Sequence, residues 1–218
     1  MIIKVSRNNQ LIMIILIDIW LHMNIYSLFI IKYILNLFRG VSMLTDVELM
    51  DYEEYLNNAN DEEIIFINEL YDQGQILEDG LRDIISLKQY IKILVITSTK
   101  CKDSATIIPF LIKLSQFNEH IEVNFLLKRD NEELLRKLSG EMKLPTIMVM
   151  DSDNNVIRKF VEFPKGVKDI LINSPKEETQ KIIDEMRNGK YNDLIQLDLI
   201  KLITGKKYEY ISFERLDK

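Results

Sequence analysis

Hydrophobic and polar positions change rhythm several times along this chain. Residues 91–96 (Ile-Lys-Ile-Leu-Val-Ile) form a short, almost wholly apolar and β-branched run, the pattern of a central parallel strand covered on both faces. Residues 103–117 return to helical spacing, with Ile107, Phe110, Leu111 and Leu114 on one face. Residues 121–127 alternate in their first half and predict a second strand. Residues 131–138 predict a helix with Glu132 and Glu133 in the first turn and Arg136 and Lys137 in the last, matching the helix dipole. Gly140 follows as a C-terminal stop. Residues 146–150 and 156–163 predict two further strands around an Asp151–Asn155 turn, and so short a turn makes them antiparallel.

Helical patterns flank this middle region. They cover residues 46–56, residues 61–71 with Asn60 as N-cap, and residues 77–87 before it. Residues 177–186 and 191–203 follow it, with Gly189 between them. The order βαβα, then ββ and α, predicts an α/β fold. Its mixed central sheet is flanked by helices on both faces, and a right-handed crossover links the parallel pair.

Residues 11–38 stand apart, being far more apolar than anything after them. Asp18, His22, Asn24, Lys32 and Asn36 interrupt the run, so no clean span of membrane length exists. No small-residue cleavage pattern follows, as a signal peptide requires. Two readings remain: a membrane anchor, or a mis-set start with translation beginning at Met43. Arg39-Gly40-Val41-Ser42 can be encoded by a ribosome-binding sequence just upstream of that methionine, which favours the second. The fold argument therefore begins at Met43.

Composition narrows the function. The 218 residues are 47% hydrophobic and 28% charged, with only seven glycines and four prolines, an ordinary globular mixture. Residues 43–218 hold 24 basic and 33 acidic side chains, an acidic body that speaks against a nucleic-acid partner. One cysteine and two histidines, His22 and His120, leave no disulfide framework and no ligand set for structural zinc. Neither a metal nor a cofactor is expected. A reducing, cytoplasmic setting fits, with membrane attachment only if residues 1–42 are native.

The single cysteine, Cys101, falls where strand 91–96 ends and the next helix begins, the place where α/β sheets most often build sites. Backbone N–H groups at the helix start, with Lys100 and Lys102, favour a thiolate, and Asp103 opposes it. Ser104 is placed to donate a hydrogen bond to the sulfur. The opposing reading is a buried, inert cysteine.

Two spacings add to this. Pro109 lies eight residues after Cys101, inside a helix, where it should kink the chain. Pro145 opens the third strand in Leu144-Pro145-Thr146. Together with Cys101-Lys102-Asp103-Ser104 these prolines resemble the thioredoxin-like superfamily. More narrowly, they resemble bacterial thioredoxin-like proteins with a helical N-terminal extension and a single-cysteine motif. The resemblance implies a three-layer thioredoxin-like domain over residues 90–188, a helical extension over 43–89, and a C-terminal helix and tail over 189–218. It implies that Cys101 is the nucleophile, that Pro145 is a cis-proline beside it, and that Leu144 and Thr146 offer backbone groups to an extended substrate. Two departures stand out: Lys100 replaces the usual tryptophan, and Val95 stands where a buried acid is expected.

Without a second cysteine, a dithiol cycle within one chain is impossible. A monothiol thiol–disulfide oxidoreductase or thiol-adduct handler remains, taking an oxidised protein or a low-molecular-weight disulfide and needing an external resolving thiol. Peroxide sensing through a sulfenic acid is a related use. The alternative is a redox-inactive interaction module whose cysteine is vestigial.

Overall fold

The structure is a computed structural model that describes residues 47–78 and 80–206. The readings of residues 1–42 as anchor or mis-set start lie outside the described residues. Among those described, no helix is long and apolar enough to cross a membrane.

A four-stranded sheet organises the molecule, in the order β2-β1-β3-β4. β1 (Ile91–Thr97) and β2 (Ile121–Leu127) run parallel, with Ile93 opposite Val123 and Val95 opposite Phe125. β3 (Thr146–Met150) and β4 (Val156–Val161) pair antiparallel, as their short connection requires, and β3 also lies antiparallel to β1. That connection is held by Asp151, whose Oδ1 accepts from the backbone N–H of Asp153 at 2.9 Å and of Asn155 at 2.8 Å. These bonds hold the Asp151 carboxyl below the usual carboxylate range, the Asn155 backbone bond first.

Eight α-helices are described around this sheet: α1 (Tyr52–Leu56), α2 (Asp61–Gln73), α3 (Leu81–Ile85), α4 (Lys102–Ser115), α5 (Glu132–Ser139), α6 (Lys165–Asn173), α7 (Thr179–Arg187) and α8 (Asn192–Thr204). Asn60 caps α2 through a reciprocal capping box with Glu63. Gly140 ends α5 in the left-handed region at φ 76°. One core runs through the sheet and its covering helices. It includes Val95 and Phe125 from the strands, Ile107 and Leu111 from α4, and Ile195 and Leu199 from α8.

Several predicted boundaries move. The helix expected over 46–56 shrinks to Tyr52–Leu56, because Asp51 caps it with Glu54. Met50 instead exchanges two backbone hydrogen bonds with Phe125, at 3.1 and 2.8 Å, on the outer edge of β2. The helix expected over 77–87 shrinks to Leu81–Ile85. Gly80 sits at φ 80°, outside helical space, and the Leu77 N–H is captured by Gln196 Oε1 at 2.8 Å. β4 stops at Val161, since Glu162 adopts φ 64°. α6 was not expected at all. It begins directly after Pro164 and turns Val167, Ile170 and Leu171 toward the core, while Ile172 stays 79% exposed.

The described helical additions pack in one compact unit with the sheet. Gln196 of α8 donates to the Gln75 carbonyl at 2.9 Å as well as receiving the Leu77 N–H. A single buried amide thus ties the segment after α2 to the C-terminal helix. Lys113 of α4 donates to the Gly74 carbonyl at 2.6 Å and lies over the Tyr71 ring.

Candidate functional site

Cys101 is the N-cap residue of α4, with extended backbone (φ −84°, ψ 110°) and no side-chain capping bond. Its N–H donates to the Ser98 carbonyl at 3.0 Å, and its own carbonyl accepts from Ala105 at 3.0 Å. The turn after β1 therefore sets the sulfur at the carboxyl end of the central strand, over the start of the helix. Its side chain is not committed to capping the helix. Cys101 is half-buried. Pro109 sits inside α4 and is buried, and its missing N–H removes one helical bond there.

The Leu144–Pro145 bond is cis, and the Leu144 carbonyl oxygen lies 3.9 Å from the Cys101 Sγ. Pro145 is buried, and its carbonyl accepts from the Glu162 N–H at 2.8 Å. Leu144 precedes the ladder, whose pairing starts at Thr146.

Thr146 does not match its expected role. It lies between Ile96 of β1 and Val161 of β4, is fully buried, and its hydroxyl bonds the Lys143 carbonyl at 2.8 Å. A residue flanked by strands on both sides offers no open edge to a further strand. Ser104 departs too. It is fully buried, and its Oγ has no hydrogen-bond partner, so it does not bond the thiol. As the third residue of α4, Ser104 turns its side chain into the fold.

Lys100 and Lys102 are exposed on either side of Cys101. Asp103 is not the free opposing charge that its place in sequence suggests. Its Oδ1 takes the Nε of Arg187, at the end of α7, at 2.8 Å, with the two side chains 14% and 25% exposed. Arg187 also meets Asp184 at 3.5 Å. The Asp103 bond raises the Arg187 guanidinium above its ordinary range, and the nearby Cys101 sulfur acts in the same direction. Arg187 was missed in the sequence, where nothing links it to a carboxylate 84 positions earlier.

Beside this pair a groove of about 420 Å³ runs between α2, α4 and the α7–α8 junction, with Phe66, Leu70, Thr106, Phe110, Arg187 and Asn192 among its walls. No group of three or more metal-ligating side chains occurs among the described residues.

No curated protein matches the chain. Among solved structures, a protein of unknown function from Pseudomonas aeruginosa is similar at TM-score 0.59 and 16% identity, over 72% of this chain and 93% of its own. An HIV epitope scaffold is similar at TM-score 0.61 and 16% identity, over 78% of this chain and 98% of its own. At such identity these two likenesses speak for the fold alone. The family described as thioredoxin matches residues 49–185, a span that takes in the sheet, the Cys101 turn, the Leu144–Pro145 bond and helices α1 to α6. By that match, the chain belongs to the thioredoxin family.

Proposed function

We propose that this protein is a monothiol thiol–disulfide oxidoreductase or thiol-adduct handler, in a cytoplasmic, bacterial setting, with Cys101 as its nucleophile. The observation that carries this reading is the seat of Cys101. It is half-buried at the start of α4, makes no capping bond, and faces the Leu144 carbonyl at 3.9 Å. Helix-start N–H groups favour a thiolate at such a place.

The chemistry follows from one sulfur. The Cys101 thiolate attacks a mixed disulfide R–S–S–R′, forming Cys101–S–S–R and expelling R′–S⁻. A second thiolate, supplied by an external low-molecular-weight thiol or by a partner protein, attacks the sulfur of R, restores the Cys101 thiolate and leaves R in a new disulfide. Leu144, outside the sheet ladder, is the backbone position open to the disulfide-bearing segment.

The test is the alkylation rate of Cys101 against pH, with intact mass before and after exposure to a disulfide. A midpoint well below the reference thiol value of about 8.5, with one adduct that an added thiol removes, supports the reading. Cys101→Ser should abolish both. If labelling requires unfolding, the nucleophile assignment fails and the fold serves as an interaction module.

A further inference from the structure

Helix α7 lies at the C-terminal side of the fold, yet it delivers Arg187 to the first turn of α4. Groups that bear on Cys101 are Lys100 and Lys102 beside it in sequence, Asp103 in α4, Arg187 with Asp184 from α7, and the phenol of Tyr55 from α1. On the β3 side, Lys143 is taken up by Glu162 at 2.7 Å. Asp103 is the one acid in the first turn of α4, two residues from the sulfur. A carboxylate there works against a neighbouring thiolate and against the helix-start N–H groups.

We propose that Arg187 is a positioning residue for the Cys101 chemistry: by pairing with Asp103 it cancels the one carboxylate of the active-site turn. This inference rests on the reading of Cys101 as a nucleophile. The 2.8 Å contact involves side chains that are both mostly withdrawn from water, so screening removes less of the effect than at an exposed pair. Asp184, at 3.5 Å, holds the guanidinium from its own helix. The last turn of α7 thereby completes a site whose nucleophile lies 86 positions earlier in the sequence. Arg187 is also among the walls of the groove beside α4.

The experiment measures the pH midpoint of Cys101 alkylation in the full chain for the parent, Arg187→Gln, Arg187→Lys, Asp103→Asn and the Asp103→Asn/Arg187→Gln pair, each also followed by thermal unfolding. Arg187→Gln should raise the midpoint by about one unit. Arg187→Lys, which keeps the charge, should stay near the parent even where it lowers the unfolding temperature. A purely structural role would not separate Lys from Gln in this profile. Asp103→Asn should lower the midpoint, and the double variant should return close to the parent. Added salt should shrink the Arg187→Gln shift.

An unmoved midpoint in a folded Arg187→Gln protein overturns the proposal. Should that variant not fold, an Asp103→Asn midpoint equal to the parent's overturns it equally. If the parent Cys101 resists alkylation at every pH, the nucleophile reading itself falls, and this proposal with it. A reactive parent with unmoved variants sinks only the role of Arg187.

Discussion

The ring of Tyr55 stacks on the ring of Phe125, with centroids 4.9 Å apart and planes 14° from parallel. Tyr52 closes the cluster at 5.8 Å from Phe125. Five residues of α1 are too few to be stable alone, so this stack and the Met50–Phe125 bridge are what fasten the helix to the edge of β2. Burial raises both phenols, Tyr52 to about 12 and Tyr55 likewise upward.

That burial makes stability fall in alkali. An unfolded tyrosine ionises near 10, below the folded values. The contribution is thus fully present below about pH 10 and is lost as pH rises toward about 12. Urea unfolding should show a lower midpoint at about pH 11 than at about pH 9. A Tyr52→Phe/Tyr55→Phe protein should lose less over the same interval, and an equal loss would remove these phenols as the cause.

Asn118 ties the end of α3 to the turn before β2. Its Nδ2 donates to the carbonyls of Ile84 at 2.8 Å, Leu87 at 3.0 Å and Ile85 at 3.3 Å, while its Oδ1 accepts from the His120 N–H at 2.9 Å. The residue is buried, so Asn118→Ala strips partners from groups with poor access to water. The expected cost is about 2 kcal/mol, read from chemical denaturation. A loss under about 0.5 kcal/mol would show that solvent replaces the amide.

Gly166 lies in the first turn of α6, where an added Cβ would stand 2.8 Å from Leu194 Cδ1 and 3.1 Å from Cδ2. Leu194 is itself in the core and has little room to yield. Gly166→Ala therefore destabilises by about 1–3 kcal/mol, despite the better helix propensity of alanine. In a Leu194→Ala background the same change should cost less. Strict additivity of the two would mean that α6 shifts instead.

Much of this fold is written in short-range pattern. The apolar run at Ile91–Ile96, the Asn60–Glu63 capping box, Gly140 and the Asp151 turn each act over six residues or fewer, so they are legible without knowing the rest of the molecule. α6 is not legible in the sequence because it is only nine residues long, has no side-chain cap and carries Gly166 in its first turn, although Val167, Ile170 and Leu171 share its core face. The contraction of α3 is not legible either, because the competitor for the Leu77 N–H is Gln196, far along the chain.

The candidate site divides along the same line. Local sequence placed Cys101 at a strand–helix junction and Pro145 at the start of a strand, since periodicity and proline stereochemistry are properties of neighbouring residues. The packing of α7 against α4 decided that Asp103 would meet Arg187. The helical turn decided that Ser104 would face inward, and the sheet order decided that Thr146 would be enclosed by β1 and β4. An ion pair or a strand neighbour depends on which faces the folded chain presses together. A sequence states the charge and shape each residue brings, and only the closed core determines what that charge meets.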